Sequence, residues 1–127
     1  MTHEQVQAWL DRYIAAWRAN DPAPIGELFS DDATYRYQPY APDDEVLRGR
    51  EAIVASWLEN PDDPGSWEAH YEPYAVDGDR AVATGTSRYR AQGDQPARTY
   101  WNCYLLRFDA EGRCSEFTEH YMLEPSR

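Results

Sequence analysis

Basic residues are scarce in this sequence. Its 127 residues include 12 Lys and Arg against 23 Asp and Glu, which gives a formal net charge of -11 at pH 7. A charge of this sign repels phosphate backbones and anionic lipid. We therefore expect no nucleic-acid partner and no membrane-surface binding, and we interpret the charge mainly as a source of solubility.

Long apolar runs are also missing. No run approaches the roughly 20 residues that a membrane-spanning helix needs. The N-terminal stretch MTHEQVQAWLDRYIAAW lacks a basic segment followed by an apolar one, which is the pattern of a secretory signal. The sequence therefore predicts a protein that does not enter the membrane and is cytoplasmic.

Cysteine and histidine are few. A hairpin turn near Glu111 would place Cys114 opposite about Arg107, too far from Cys103 for a disulfide, so we expect two free thiols in a reducing compartment. The histidines are scattered, and no His-x-x-x-His, Cys-x-x-Cys or clustered carboxylate set occurs. The sequence therefore predicts neither a metal site nor a cofactor.

Three helices are predicted in the first half of the chain. From Glu4 to Ala19 the apolar residues recur every three or four positions, which is typical of an amphipathic helix. Asp21 can cap a second, short helix over about Pro22 to Phe29, since Pro suits the first helical position. A third helix is expected over Gly49 to Asn60, where the polar stretch PDDPGS ends it.

The second half has the alternating texture of strands. A first strand is predicted from Ala33 to Tyr40, interrupted at Pro39, and a brief one at Val46 and Leu47. Four long runs joined by short turns then predict an antiparallel meander: Trp67 to Val76, Ala81 to Arg90, Ala97 to Phe108 and Cys114 to Leu123. Helices followed by strands indicate an α+β fold, in which a strongly curved antiparallel sheet packs around three helices as a half-open cone.

Three stretches carry a resemblance to a known superfamily. They are VQAWLDRYIAAWRANDPAPIGELFSDDATY, LRGREAIVASW and LLRFDAEGRCSEFTEHY. Their order resembles the nuclear transport factor 2-like superfamily, and within it the SnoaL-like group of polyketide cyclases, ketosteroid isomerases and limonene epoxide hydrolases. The resemblance implies one SnoaL-like domain over residues 1–127, with a ligand pocket inside the cone. It does not settle function, because members place different groups in that pocket.

The resemblance also implies the register of the last hairpin. In relatives the aromatic residue before the hairpin turn faces the helices, which places four residues of the penultimate strand inside: Phe108, Leu106, Tyr104 and Asn102. Strand alternation then places Phe117, Glu119 and Tyr121 inside on the last strand, and His120 outside. Glu119 thus resembles the catalytic Asp of the epoxide hydrolases in position, whereas a Glu119–His120 dyad is disfavoured.

The match to individual relatives is incomplete. Arg12 and Tyr13 match an Arg-Tyr pair of ketosteroid isomerases, in which the Tyr donates a hydrogen bond to a developing enolate. The general-base Asp of those enzymes aligns with Tyr37, however, and their second donor, also an Asp, aligns with Tyr104. Epoxide hydrolysis would need an inward Arg and a second carboxylate, but VATGTSRYR offers only Arg88. We therefore expect neither reaction in its known form.

The candidate site has two interpretations. Glu119 is either a pocket acid or base, or a structural carboxylate that Tyr and Asn donors satisfy. The first interpretation predicts catalytic roles for Glu119, Tyr13, Asn102 and Tyr104. It also predicts that six further residues bind the ligand: Trp17, Tyr35, Tyr37, Trp57, Phe117 and Tyr121. The polar members could instead form a buried hydrogen-bonded network, and the tryptophans could be core.

Two classes of function follow from these interpretations. The first is a cofactor-independent isomerase, cyclase or hydratase-type enzyme acting on a small, largely apolar, oxygen-bearing molecule. The second is a non-catalytic ligand-binding or dimerisation module of the same fold. A cavity of roughly 300 to 1,000 Å³ that reaches Glu119 favours the enzyme, while a packed interior favours the module.

The outer face of the sheet predicts a partner. Trp101, Cys103 and Leu105 would leave an apolar patch on that convex face. Relatives commonly dimerise through this surface, so the resemblance implies a homodimer with Thr118 and His120 near the interface.

Overall fold

Side chains cap the N-termini of the first two helices. A computed structural model describes residues 1–59 and 61–125 of the chain. Helix α1 spans His3–Ala19 and begins with a capping box between Thr2 and Gln5. It ends at Asn20, whose left-handed φ of 53° stops the helix. The predicted apolar stripe of α1 is buried, including Trp9 and Tyr13.

Helix α2 is shorter than the sequence predicts. It spans Pro22–Glu27, and the Asp21 side chain accepts a hydrogen bond from the Ala23 N–H as predicted for a cap. The predicted end at Phe29 is wrong, because the carbonyl of Leu28 accepts hydrogen bonds from Trp9 Nε1 at 3.0 Å and from the Cys114 N–H at 2.8 Å. The chain therefore leaves the helix and enters the sheet at this point.

Helix α3 spans Arg50–Glu59. Its start lies one residue after the predicted one, since Gly49 adopts a positive φ of 92° that a helix does not accommodate. The predicted last residue, Asn60, lies outside the described residues. The side chain of Arg50 donates two hydrogen bonds to the carbonyl of Phe29, so α3 is fixed to the beginning of the sheet.

Six strands form one sheet. Their bounds are β1 Phe29–Arg36, β2 Leu47–Arg48, β3 Trp67–Asp77, β4 Arg80–Tyr89, β5 Arg98–Phe108 and β6 Cys114–Leu123. The spatial order is β2-β1-β6-β5-β4-β3, with β3 to β6 in the predicted antiparallel meander. β1 runs parallel to β6, so the prediction of an antiparallel sheet is wrong and the sheet is mixed. The long chain between these two strands supplies the crossover that parallel pairing requires.

The first strand also begins earlier than predicted. β1 starts at Phe29 instead of Ala33, because Phe29 already pairs with Cys114 of β6. It ends at Arg36, before the interrupting Pro39. The brief second strand lies at Leu47–Arg48, one residue later than predicted, and pairs with Thr34 and Tyr35.

Both cysteines are free, as predicted. Cys103 lies opposite His120 in the sheet, and Cys114 lies opposite Phe108 because the pairing shifts by one residue after Arg107. Cys103 is half-buried on the outer face, whereas Cys114 is fully buried in the core. The two side chains are therefore on opposite sides of the sheet, and a disulfide is excluded.

The inward face of β4 carries small residues from Ala81 to Ser87. Ala81, Ala83 and Ser87 are buried and Gly85 is half-buried, and the residues opposite Ala81, Ala83 and Gly85 on both neighbouring strands are larger. Gly85 lies between Tyr71 of β3 and Asn102 of β5, and the Tyr71 ring covers it closely. Small residues on the central strand leave room for large side chains from both neighbours, and a space remains above them.

The packed core occupies one end of the interior. Trp9, Phe29, Phe108 and Phe117 form its aromatic centre, and each is at most 2% exposed. Phe117 stacks on Tyr35 with ring centroids 4.4 Å apart, so Tyr35 lies between this core and the space beyond. Along β5 and β6 the core layer is followed by the polar pair Tyr104 and Glu119.

Candidate functional site

A cavity of about 550 Å³ opens beyond the core. Side chains of α1, α3, β1, β4, β5 and β6 line it. Every residue of the predicted site except Phe117 is among the lining residues. The volume falls in the range of small-molecule sites, so the interior is not fully packed.

Glu119 is the acidic group at the inner end of the cavity. It faces inward on β6, opposite Tyr104, and is half-buried. The Tyr35 hydroxyl donates a hydrogen bond to Glu119 Oε1 at 2.6 Å, the one side-chain hydrogen bond that this carboxylate makes to the described residues. Burial raises the pKa of Glu119 to about 7, although the Tyr35 hydrogen bond acts in the opposite direction. At neutral pH the carboxyl group is therefore present in both its acid and its base form.

Three buried tyrosines surround this carboxylate. Tyr13, Tyr35 and Tyr104 are 4%, 2% and 3% exposed. Burial raises the pKa of each hydroxyl well above its usual value of 10, and the nearby negative charge of Glu119 raises it further. All three therefore keep their protons across the pH range in which Glu119 titrates. They are neutral hydrogen-bond donors next to a titrating acid.

Asn102 belongs to a hydrogen-bonded cluster on the neighbouring strands. Its Nδ2 donates to the Tyr71 hydroxyl at 3.0 Å and to Ser87 Oγ at 2.7 Å, and those two hydroxyls are 2.7 Å apart. Both amide hydrogens are thus engaged, and the carbonyl oxygen is the part of the side chain that remains for a ligand. Among the predicted catalytic residues, Tyr13 and Tyr104 are therefore better placed than Asn102 to donate to a substrate oxygen.

Sequence reasoning missed Tyr71 and Ser87. The inward faces of β3 and β4 could not be assigned, because neither strand carries a clean apolar and polar alternation. One signal was present: Trp67 and Tyr71 are four residues apart in WEAHYEP and so share a face of a strand. Both are 1% exposed, which identifies that face as the inner one.

A second cluster forms the mouth of the cavity. Asp62 Oδ2 accepts hydrogen bonds from Trp17 Nε1 at 3.1 Å and from the Tyr89 hydroxyl at 3.2 Å. Trp17 also stacks on Trp67 with ring centroids 3.8 Å apart. Asp62, from the polar stretch that follows α3, therefore fixes an indole and a phenol at the rim.

The remaining predicted ligand-binding residues differ in their surroundings. The Tyr37 hydroxyl lies 2.8 Å from Ser56 Oγ, and Trp57 contacts the Tyr13 ring edge-on with centroids 5.2 Å apart. Tyr121 is 47% exposed and lies at the rim. Phe117 is 1% exposed and contacts the rings of Tyr35 and Tyr13, so it supports the cavity from below and does not line it.

The outer face of the sheet carries exposed apolar side chains. Trp101, Leu105 and Met122 are 52%, 46% and 72% exposed; Trp101 lies opposite Met122, and Leu105 lies four residues further along β5 on the same face. His120 is on this face, as predicted from strand alternation, opposite Cys103. Its Nδ1 is buried and has no hydrogen-bond partner among the described residues.

The described residues lack two further features. No helix within 1–59 and 61–125 is long and apolar enough to cross a membrane. The same residues contain no group of three or more His, Cys, Asp or Glu side chains that could hold a metal ion.

Comparison with solved structures defines the class of fold. An NTF-2 like protein of unknown function from Burkholderia xenovorans LB400 superposes with a TM-score of 0.70 at 19% identity, covering 98% of this chain and 87% of that one. An LEH-like epoxide hydrolase from M. tuberculosis superposes with a TM-score of 0.67 at 13% identity, covering 94% of this chain and 84% of that one. The chain therefore has an NTF2-like α+β fold.

Comparison with protein families identifies the family of this chain more specifically than the fold does. The SnoaL-like domain family matches residues 10–117, which include the second half of α1, all of α2 and α3, and most of the sheet. This protein belongs to the SnoaL-like domain family. No curated protein matches the chain.

Proposed function

We propose that the cavity binds a small, largely apolar, oxygen-bearing molecule, and that Glu119 transfers a proton on it without a cofactor. The observation that carries the proposal is a carboxyl group with a pKa of about 7 in a cavity of ligand size. A general acid or base is most effective when its pKa lies near the working pH. The cavity is the interior of the proposed cone, within one domain spanning residues 1–127.

The proposed chemistry begins with removal of a proton from carbon. The Glu119 carboxylate takes a proton from the carbon next to a substrate carbonyl and becomes a neutral acid. The electron pair of the broken C–H bond moves into an enolate, whose charge is on the carbonyl oxygen. If the acid proton of Glu119 exchanges with solvent before it returns to the same carbon, the result is isotope exchange, and return of a proton to another carbon gives an isomer. Either outcome regenerates the carboxylate.

The tyrosines supply the other half of the mechanism. Hydroxyl groups of Tyr13 and Tyr104 stabilise the enolate oxygen, and their raised pKa values keep them protonated while they do so. Tyr35 holds the Glu119 carboxyl in place through its 2.6 Å hydrogen bond. The aromatic walls from Trp17, Trp57 and their neighbours exclude water and accept the apolar part of the substrate.

Replacing Glu119 with Gln tests this proposal. The probe is 2-tetralone, a bicyclic ketone whose α-proton exchange in D2O is followed by NMR. We expect the wild-type protein to accelerate exchange above the buffer rate, and Glu119→Gln to reduce that acceleration by about 100-fold or more, as is usual for loss of a general base. Glu116→Gln is the matched control, because Glu116 is on the opposite face of β6 and exposed.

Two results would contradict the enzymatic proposal. One is equal exchange rates for wild-type protein and Glu119→Gln. The other is a wild-type rate no higher than that of buffer, although 2-tetralone binds. The second result would favour the alternative, a ligand-binding module in which Glu119 only orients its ligand.

We also propose that the chain is a homodimer through the outer face of the sheet. The support is the group of exposed apolar side chains Trp101, Leu105 and Met122 on that face. A stable dimer buries roughly 800 Å² per subunit. The free Cys103 and Cys114 are consistent with the expected cytoplasmic location.

A charge within the patch tests the dimer. Leu105 lies between Val82 and Thr118 on neighbouring strands, so Leu105→Glu would place a carboxylate within the proposed interface. We expect a dimer for the wild-type protein and a monomer for Leu105→Glu in sedimentation velocity. Tyr74→Glu, at an exposed position of edge strand β3, should leave the dimer intact. A monomeric wild-type protein, or a dimeric Leu105→Glu variant, would refute this interface.

A further inference from the structure

Arg98 is a basic side chain in a cavity otherwise lined by acidic, polar and aromatic groups. It is the first residue of β5, and it is the one cation among the described residues that line the cavity. Its guanidinium forms no ion pair or hydrogen bond with any described residue, and Nη1 is buried without a partner. The Arg98 Cζ atom lies 4.5 Å from the centre of the Tyr89 ring.

This arrangement leaves a charged donor unsatisfied. A buried polar nitrogen that has lost water without gaining an acceptor is costly, and the cost is larger for a charged group. The guanidinium fork matches the two oxygens of a carboxylate, which proteins use to pair a buried Arg. The contact with the Tyr89 ring holds the guanidinium at the wall of the cavity.

Asp62 does not fill this role. It lines the same mouth of the cavity but forms no ion pair with Arg98, and its Oδ2 already accepts hydrogen bonds from Trp17 and Tyr89. Tyr100, two residues along β5 and on the same face, lines the cavity as well. Its hydroxyl forms no hydrogen bond to a described residue and is a second donor beside Arg98.

The two ends of the cavity are well separated. Arg98 precedes Tyr104 by six positions on β5, which is about 20 Å of extended strand. Tyr104 is the residue opposite Glu119. A ligand that meets both Arg98 and Glu119 is therefore elongated, with an anionic group at the mouth and its reacting part at the inner end.

We propose that the ligand is an apolar organic monocarboxylate, whose carboxylate pairs with Arg98 at the mouth of the cavity. The apolar body of the ligand lies among the aromatic side chains between Arg98 and Glu119. This inference rests on the cavity being a ligand site, as in the proposed function, and does not depend on catalysis by Glu119.

The test compares three probes that differ only in one group. They are 2-naphthoate, 2-naphthamide and 2-naphthylmethylamine, titrated by calorimetry at low salt and at about pH 6, where naphthoate is ionised and Glu119 is mostly neutral. We expect the wild-type protein to bind naphthoate at least 10-fold more tightly than the amide. Arg98→Met should remove this difference without weakening the binding of the amide.

Further variants separate the role of Arg98 from other effects. Arg90→Met removes the same charge from an exposed position outside the cavity, paired with Glu68 at 3.6 Å, and should keep the preference for naphthoate. Arg98→Lys should retain part of it, because the charge remains while the fork is lost. The preference is measured by binding alone, so a failure of the catalytic proposal leaves this result intact.

Three outcomes would overturn the inference. The wild-type protein could bind naphthoate no better than the amide. It could bind the amine most tightly, which would assign recognition to the acidic residues Glu59 and Asp62. Finally, Arg98→Met could keep the preference while remaining folded by circular dichroism. Addition of salt to the wild-type protein gives a check without mutation. It should weaken the binding of naphthoate and leave the binding of the amide unchanged.

Discussion

Replacing Glu119 with Gln is expected to make the protein more stable at alkaline pH. Burial raises the pKa of the Glu119 carboxyl from an ordinary 4.5 to about 7. The folded protein therefore binds this proton more tightly than the unfolded chain does. Above pH 7 the folded protein contains an unfavourable buried charge. The shift of about 2.5 pKa units corresponds to a loss of about 3 kcal/mol in the free energy of unfolding. Glu119→Gln keeps the shape of the side chain and removes the charge.

The pH dependence has a defined sign. Below the pKa that Glu119 has in the unfolded chain, Glu119 is protonated in both states, and its ionisation does not change the free energy of unfolding. As the pH rises towards the folded pKa, the unfolded state loses its proton first, so the wild-type protein loses stability. About 2 kcal/mol of the difference between the two proteins should develop between pH 5.5 and pH 8.5. Urea unfolding at a series of pH values measures it.

Two tyrosine variants refine the measurement. The Tyr35 hydrogen bond lowers the pKa of Glu119, so Tyr35→Phe should raise that pKa further and enlarge the pH-dependent loss of stability. Tyr37→Phe is the matched control, because its hydroxyl bonds to Ser56 instead. Parallel stability curves for wild-type protein and Glu119→Gln would show that Glu119 has an ordinary pKa, and the general-base proposal would lose its main support.

Replacing Gly85 with Ala is expected to destabilise the fold strongly. A Cβ atom at this position would overlap the carbonyl oxygen of His70 and the ring of Tyr71, and it would lie 2.8 Å from the Tyr71 Cα. Backbone atoms cannot rotate away from such a clash, so the strands β3 and β4 must separate locally. We expect a loss of about 3 kcal/mol or more in the free energy of unfolding.

The same substitution should disturb the site. Moving the Tyr71 ring breaks its hydroxyl contacts with Ser87 and Asn102, which line or support the cavity wall. Gly65→Ala is the control, since a Cβ there meets only Asp63 Oδ1 at 3.7 Å. Its stability should change by no more than about 0.5 kcal/mol in urea unfolding. A Gly85→Ala protein as stable as the wild type would mean that Tyr71 does not cover Gly85.

Local patterns in the sequence account for most of the element bounds. The spacing of Trp9 and Tyr13 predicts the buried stripe of α1, and turn residues predict β3 to β6 to within one or two positions. The parallel pairing of β1 with β6 was not predictable in this way, because the two strands are far apart in sequence and no turn joins them. The end of α2 was mispredicted for a similar reason: the groups that engage the Leu28 carbonyl come from Trp9 and Cys114.

The residues of the site also fall into two groups, those that a local sequence pattern predicts and those that it does not. Alternation along β6, with the register implied by the resemblance, gives the inward position of Glu119 and its neighbour Tyr104. The same alternation placed Phe117 among the predicted ligand-binding residues. In the structure the rings of Tyr35 and Tyr13 stack on Phe117 and enclose it in the core. Arg98 and Asp62 had no pattern to identify them, because they belong to a strand end and a loop.

By itself the sequence determined the α+β class, the helix stripe, the meander and the division of the last hairpin into two faces, while the resemblance implied which face is inward. These features depend on the period of a helix or a strand and on contacts between neighbours in the chain. Only the tertiary structure decided the hydrogen bond from Tyr35 to Glu119 and the cluster of Tyr71, Ser87 and Asn102. It also decided the position of Arg98, whose charge has no partner among residues 1–59 and 61–125. Each of these depends on distances between distant segments, and burial among those segments raises the pKa of Glu119.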